Sequence, residues 1–499
     1  MEFESILDLR KSPYKGEARP SLYLDLNINQ IVDRIEALWG EKIAALYHYL
    51  PADGECEAYR REVMQDVKKG KLYEELLGFV GRMKAYQESC AGREAVTMEI
   101  QKAAWQVKEV VQYGEALNQL YEALKETEIT SKGFLTLREY LEQYLCGAEF
   151  QQMYEEARNL LEERSKIRFK LTYDGGLITL SEEEATGDYD SFLQESLPGQ
   201  GKEMKSPFGE KKELTGLEQE LISILHKKQP EHFKKTMTFY KNYKEYARQE
   251  LIELGREIVY YLAYYKFEQK MQSLGFTFTA PTVDAEQEMY ATGLYDLALA
   301  CVNSEEKKEI TDNDMVYHAG ETFFVVTGPN QGGKTTFARS LGQLLFFTKM
   351  GLDVPAKAAN VHAFPHILTH FSVEESIETG RGKLQEELVR LQPMMTSGYE
   401  GAFVIINELF TTAANYDACM MGQKVLRHFM KQGCRGIYVT HLKELTEAHE
   451  SVVSMRAMLD EQGIQTHQII RREPGDEACA INQVNKYKLT YAQLKERLS

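Results

Sequence analysis

One short segment of this 499-residue chain combines glycines, a lysine and a threonine at a spacing that suits phosphate binding. Residues 328–335 read GPNQGGKT and fit the pattern GxxxxGK followed by Ser or Thr. Such glycines let backbone N–H groups approach phosphate oxygens, and the dipole of a following helix adds positive charge. In this pattern Lys334 reaches the β- and γ-phosphates, and the Thr335 hydroxyl is a ligand of Mg²⁺. The predicted contacts of ATP are Gly328, Pro329, Asn330, Gln331, Gly332, Gly333, Lys334, Thr335 and Thr336.

Two other polar positions follow apolar runs and are predicted to complete this site with Lys334. Glu408 comes after the run 402–406 and is expected to polarise the attacking water. Asn407, just before it, stands where a carboxylate usually helps to hold Mg²⁺; its amide can orient a metal-bound water but brings no charge. We therefore predict weaker Mg²⁺ binding and slower turnover. The alternative for Glu408 is a solvated residue at the end of a strand.

His441 ends a further apolar run, 436–440, and is the third predicted catalytic residue. A histidine at the carboxyl edge of a sheet, beside a phosphate site, could sense the γ-phosphate. The alternative is a histidine that makes only structural hydrogen bonds.

The elements that must position these residues form an α/β domain over residues 286–470. Short apolar runs alternate there with amphipathic helical patterns, which is typical of strands buried on both faces of a largely parallel sheet. The phosphate-binding segment directly follows one such run, 322–327, and precedes a helix. Residues 471–499 are predicted to be a separate C-terminal helical segment.

Residues 1–285 read mainly as helices, with apolar residues at helical spacing. The period changes to two at Lys166, and a turn at 174–176 predicts a β-hairpin over about 166–181. A polar segment at about 182–213 is predicted to be a mobile loop. Pro230 is expected to begin a new helix, and Gly275 to end it. The predicted fold is multidomain: an all-α region with an inserted β-hairpin, followed by an α/β P-loop ATPase domain.

Composition limits the classes of protein that fit this chain. The formal net charge is −17, so no general basic field draws it to nucleic acid. The seven cysteines are scattered without a CxxC pair, which favours reduced thiols over disulfides or zinc. No apolar run approaches the ~20 residues that cross a bilayer, and the N-terminus lacks the pattern of a signal peptide. We expect a cytoplasmic protein with no membrane contact.

A local basic stretch is the best candidate for DNA contact. Between His226 and Arg248 lie seven basic and only two acidic side chains, interleaved with aromatic residues. Heptad steps predict one shared helix face for Lys234, Lys241 and Arg248. Such a stripe could track a phosphate backbone, with weak and salt-sensitive binding. The alternative is the solvated face of a coiled coil with an aromatic seam inside. The predicted contacts are Lys234, Lys235, Lys241, Lys244 and Arg248.

These motifs, in this order, resemble the MutS family. TGPNQGGKTT at 327–336 is similar to that family's TGPNMGGKST, and GLDVPA at 351–356 is similar to its GxxVPA segment. Asn407-Glu408 followed by Tyr416-Asp417 takes the places of its DE and YD, and residues 440–446 resemble ATHYxELT. The resemblance implies a homodimer with composite ATP sites and a dimerisation tail at 471–499. The same resemblance implies that residues 1–285 form a helical core and levers, with the hairpin as part of a DNA-encircling clamp. It also implies that Asp417 contacts the partner subunit.

Some positions depart from the family pattern. Gly382 lacks the hydroxyl with which the family reaches its partner's γ-phosphate, so Lys383 or backbone N–H groups are expected to substitute. Ile310 falls near the adenine-stacking aromatic residue and offers packing only. We also expect the mismatch-reading domain and the Smr nuclease domain of MutS relatives to be missing.

Three functions fit this reading. The first is an ATP-dependent clamp on mismatched or branched DNA in repair or recombination, with slow, DNA-coupled hydrolysis. The alternative is an ATP-binding switch with weak or no hydrolysis that acts on a protein partner. A third is another ABC-type ATPase, but a transporter motor needs an LSGGQ-like signature, which the sequence does not contain.

Overall fold

The computed structural model describes residues 3–8, 20–51, 53–167, 169–174, 177–182, 216–306, 308–371, 382–396 and 398–475. They fall into two units, one of Met1–Glu4 with Asp66–Val259 and one of Ser5–Gln65 with Tyr260–Ser499. The predicted loop at about 182–213 lies almost wholly outside the described residues, as does most of the predicted tail.

The first unit is built from long helices around α5, whose residues Val110, Leu117 and Leu124 are fully buried at heptad steps. Gly114 lets α7 approach α5 closely, because a Cβ at this position would lie 2.4 Å from the Tyr154 ring. The helices are α4 Gly70–Ala95, α5 Glu99–Glu126, α6 Lys132–Leu145, α7 Ala148–Lys166, α8 Gly216–Lys228, α9 Pro230–Asn242 and the first part of α10 Gln249–Ser273.

Two antiparallel strands, β1 Phe169–Asp174 and β2 Leu177–Glu182, follow α7 in this unit. They form a hairpin at the position that the period-two pattern predicts. Pro230 lies in the first turn of α9, where its missing N–H costs no hydrogen bond.

The predicted continuous face through Lys234, Lys241 and Arg248 is wrong. Helix α9 ends at Asn242 and α10 begins at Gln249, so Arg248 lies outside the helix that carries the two lysines. Hydrogen bonds from neighbouring helices hold this break: the Tyr144 hydroxyl donates to the Tyr246 carbonyl at 3.1 Å, and Arg248 N–H donates to the Tyr113 hydroxyl at 3.1 Å. Sequence periodicity could not reveal a break that tertiary hydrogen bonds stabilise.

The second unit contains a six-stranded sheet in the order β12-β11-β6-β10-β9-β8 and a four-stranded sheet in the order β3-β7-β4-β5. From β11 to β8 the neighbouring strands of the larger sheet are parallel, and only β12 pairs antiparallel. The strands are β3 Thr282–Val283, β4 Met289–Leu294, β5 Asn313–Tyr317, β6 Phe323–Thr327, β7 Ala358–Val361, β8 Ile367–Phe371, β9 Phe403–Asn407, β10 Arg435–Val439, β11 Val452–Leu459 and β12 Gln465–Arg471.

Helices cover the larger sheet, as expected for buried parallel strands. All residues of β6, β8 and β9 are buried. The helices of this unit are α1 Pro20–Asp25, α2 Ile28–Trp39, most of α3 Gly54–Val67, the second part of α10, α11 Leu297–Glu306, α12 Lys334–Lys349, α13 Lys383–Met394 and α14 Asn415–Lys431, with 3-10 turns at Ala44–Tyr47 and Lys443–Glu447.

The N-terminal residues 5–65 group with the α/β part, whereas the sequence pattern predicted one helical region over 1–285, interrupted by a hairpin and a loop. Polar contacts show why. The Gln343 amide donates to the Leu26 carbonyl at 2.9 Å, the Thr369 hydroxyl donates to Asp25 at 2.8 Å, and Lys349 forms a buried ion pair with Glu57 at 2.6 Å. Helical periodicity identifies a buried face but not the partner that covers it.

Two further observations concern the described residues only. None of their helices is both long enough and apolar enough to cross a membrane. None of the six cysteines among these residues forms a disulfide with another of them.

Candidate nucleotide site

The loop 328–333 connects β6 to α12 at the carboxyl edge of the larger sheet. Gly328, Gln331 and Gly333 have φ values of 124°, 64° and 90°, so the loop folds back on itself. Its fit is tight on one side, since a Cβ on Gly328 or Gly332 would lie 3.0 Å from Ala457 Cβ. Helix α12 begins at Lys334 without a side-chain cap, which leaves its first N–H groups for an anion.

Lys334 is almost fully buried, and its ammonium group donates to the carbonyls of Gly328 at 2.9 Å and Pro329 at 2.8 Å. The charge is therefore held over the concave side of the loop. Next to it, the Thr335 hydroxyl donates to Asn407 Oδ1 at 2.9 Å. The two residues predicted to hold Mg²⁺ thus lie in contact, although they are 72 positions apart.

Glu408 borders the same cavity, which has a volume of about 590 Å³ and is lined by residues 330–336 of the loop and helix start. Its φ of 53° is left-handed, a conformation that costs a non-glycine residue roughly 1–2 kcal/mol. The Glu408 N–H donates to the Val439 carbonyl at 2.9 Å, and this bond holds the residue against β10. Strained backbone conformations of this kind cluster at functional sites, and this one places Glu408 at the cavity that the phosphate loop also lines.

His441 is exposed and lies on another side of the loop. It shares a smaller cavity with Thr327, Gly328, Pro329 and Arg456, and it does not line the cavity of Glu408. Glu408 and His441, both predicted to act at the phosphate site, thus border the same loop but line two different cavities.

The wall opposite Lys334 is formed by side chains from other elements. Ile310, the predicted packing position for adenine, lines the cavity together with Leu299, Asn303 and Thr311. Sequence reasoning missed His467, which lines the same cavity from β12. A left-handed φ of 59° brings its backbone against Gly333, and Asn313 donates to its carbonyl at 3.2 Å. Only the pairing of the edge strand places it there.

Lys383 and Asp417 line neither of these cavities. Lys383 is the first residue of α13 and is half-buried. Gly382, at the N-cap position, has no side chain that could cap the helix. Asp417 lies in the first turn of α14 and is exposed, next to Tyr416, which is 76% exposed.

Comparison with known proteins agrees with the family resemblance of these motifs. The family model of MutS domain V matches residues 324–486. DNA mismatch repair protein MutS of Thermotoga sp. (strain RQ2) is 26% identical over 169 residues, 33% of this chain and 21% of the relative. This part of the chain belongs to the MutS family. DNA mismatch repair protein spellchecker 1 of Drosophila melanogaster is 25% identical over 185 residues, 36% of this chain and 20% of the relative.

The matched part of the chain thus spans about a fifth of the length of these MutS relatives. The match begins in β6 and includes the loop, Asn407, Glu408, His441 and His467. Ile310 and Leu299, which complete the cavity of the MutS-type domain, lie before the matched residues.

The predicted DNA contacts lie in the first unit. Lys234, Lys241, Lys244 and Arg248 are exposed, and Lys235 forms an ion pair with Glu163 at 2.8 Å. The aromatic residues between them face inward: Phe239 is fully buried, and the hydroxyls of Tyr243 and Tyr246 donate to Glu156 at 3.0 Å and Glu109 at 2.9 Å. For these aromatic residues, the predicted alternative of an inner seam describes the arrangement.

Proposed function

We propose that this chain is a Mg²⁺-dependent ATPase of MutS type whose nucleotide state is coupled to DNA binding. The main support is one juxtaposition: Lys334, Thr335 and Glu408 border one cavity at the end of β6, and the Thr335 hydroxyl donates to Asn407 at 2.9 Å. Phosphate binding, metal binding and water activation need these groups close together.

The residues present fit Mg²⁺-ATP. Backbone N–H groups of the loop and of the first turn of α12 would bind the phosphates, and the Lys334 ammonium would neutralise part of their negative charge. Thr335 would bind the metal directly and Asn407 through a water, and the metal would neutralise charge on the β- and γ-phosphates. Glu408 would orient the attacking water and accept its proton. Ile310 and His467 would pack against the base.

Replacing Asn407 with aspartate is expected to tighten Mg²⁺ binding. The change adds a negative charge 2.9 Å from the Thr335 hydroxyl without altering side-chain size. Charge-assisted contacts are about twice as strong as neutral ones, so we expect about tenfold less Mg²⁺ for half-maximal ATP hydrolysis. A Mg²⁺ titration of the hydrolysis rate measures this. The control is Asn415→Asp at the start of α14, which should leave the titration unchanged; an equal shift in both variants would argue against Asn407.

We propose DNA as the partner, bound through phosphates by the first unit. Reversing the charges of Lys234, Lys241 and Lys244 to glutamate should weaken binding and lower the slope of log K against log salt by about 0.9 for each phosphate that is no longer neutralised. Fluorescence anisotropy with homoduplex, mismatched and four-way-junction DNA, with and without ATP, measures both quantities. Reversal of Lys84 and Lys132, on α4 and α6, is the control. If no DNA binds at low salt, the proposal that DNA is the partner fails.

A homodimer with composite ATP sites is part of this proposal. Asp417 and Lys383 are its proposed contacts with the partner subunit. The exposed apolar side chains of Tyr416 and Met420 on α14 would be covered in such a dimer.

A second candidate is an ATP-binding switch that acts on a protein partner. The observation in its favour is the neutral amide of Asn407, since weak metal binding would leave ATP bound but slowly hydrolysed. Wild-type protein that binds ATP without turnover, with and without DNA, would favour the switch over the ATPase.

A further inference from the structure

A buried carboxylate outside the nucleotide cavity joins two parts of the second unit. Glu387, in the second turn of α13, is 2% exposed, and its Oε2 accepts a hydrogen bond from the Phe410 N–H at 3.0 Å. Among the described residues, its other oxygen has no hydrogen-bond partner. Burial raises the pKa of this carboxyl, opposed by the Phe410 N–H and by Lys383. Packing alone would favour an apolar side chain here, because a buried polar group is costly unless it is hydrogen-bonded.

The group that Glu387 binds belongs to the loop that carries Glu408. Phe410 has a left-handed φ of 64°, two residues after Glu408 with 53°. In each of these residues the backbone N–H donates a hydrogen bond: Glu408 N–H to the Val439 carbonyl on β10, and Phe410 N–H to the Glu387 carboxylate on α13. The direction in which the Glu408 carboxylate leaves β9 therefore depends on both bonds.

Helix α13 is itself fixed to the sheet. Arg390 donates to the Phe371 carbonyl at the end of β8 at 2.8 Å. The His370 ring lies 3.2 Å from the Glu387 carbonyl, and burial lowers the pKa of His370 to about 4, so the ring is neutral near pH 7. The helix that anchors the Glu408 loop is thus held to β8 by hydrogen bonds, and it begins at Lys383 after the N-cap Gly382.

We propose that Glu387 is a positioning residue for ATP hydrolysis, which holds the loop after β9 so that the Glu408 carboxylate faces the phosphates. The inference rests on the proposed ATPase function. Displacing a catalytic group by about 1 Å can reduce a rate about 100-fold, while phosphate binding by the loop 328–333 does not involve this hydrogen bond. Removing the hydrogen bond should therefore lower kcat and leave nucleotide affinity unchanged.

The test compares Glu387→Met, Glu387→Asp and Glu387→Gln. Methionine keeps the volume and removes the acceptor, so we expect kcat to fall about 10- to 100-fold with ATP affinity within about twofold of wild type. Aspartate withdraws the acceptor by one methylene and should give a smaller loss, and glutamine keeps an acceptor oxygen and should restore most activity. The matched control is Gln385→Met, on the exposed side of α13.

A double mutant separates positioning from a merely structural role. In a Glu408→Gln background, Glu387→Met should reduce the rate little further, because the contribution of the Glu408 carboxylate to catalysis is already lost. A full multiplicative loss, a parallel loss of ATP affinity, or wild-type kcat in Glu387→Met would overturn the inference. If Glu387→Met does not fold, the loss in Glu387→Asp and its rescue in Glu387→Gln decide. Absence of hydrolysis in wild type would instead refute the proposed ATPase.

Discussion

Lys334→Ala is expected to weaken ATP binding about 100-fold and to abolish measurable hydrolysis. The ammonium is nearly fully buried and held by two loop carbonyls, so it is already in place before nucleotide arrives. A hydrogen bond to a charged group contributes about 1.5–3 kcal/mol, and each 1.4 kcal/mol is tenfold in affinity. Equilibrium binding of a fluorescent ATP analogue to the purified protein measures the effect.

The control for this change is Lys431→Ala, an exposed lysine at the end of α14. It should bind the analogue as wild type does. Thermal unfolding of both variants without nucleotide shows whether the loop still folds. If a folded Lys334→Ala protein keeps wild-type affinity, ATP binds elsewhere and the site assignment fails.

Glu408→Gln is expected to separate binding from hydrolysis. The amide keeps the size and the left-handed backbone but cannot accept the proton of the attacking water. General-base catalysis contributes about 10²–10⁴-fold, so we expect a loss of turnover in that range with ATP affinity unchanged or slightly tighter. Steady-state phosphate release and the same analogue titration give the two quantities.

Glu400→Gln, on the exposed surface before β9, is the matched control and should hydrolyse ATP normally. Unchanged turnover in Glu408→Gln would show that another group activates water. Together with absent wild-type turnover, it would favour the binding switch.

The chemistry of the loop could be read from the sequence because its geometry is local. Glycines at 328, 332 and 333 lie between an apolar run and a helical pattern, and the structure has β6 and α12 on either side. The contact between Thr335 and Asn407 is not local, but it could still be predicted, because the carboxyl ends of parallel strands lie at one edge of the sheet.

Other features depend on contacts that no local pattern contains. His467 reaches the cavity because β12 pairs antiparallel with β11 and bends at a left-handed residue. Glu387 follows another glutamate in the sequence, and no local pattern indicates that its carboxylate is buried and accepts a hydrogen bond from the Phe410 N–H. The break between α9 and α10 is held by side chains more than 100 positions earlier in the chain.

The strand order has a consequence for synthesis of the chain. Strand β6, which leads into the phosphate-binding loop, pairs on one side with residues 436–439 and on the other with residues 452–456. Both partners leave the ribosome more than 100 residues after β6, so this apolar strand waits unpaired during translation. A nascent chain that stops before residue 452 would leave β6 without its partner β11, and an open strand edge of this kind is prone to aggregation.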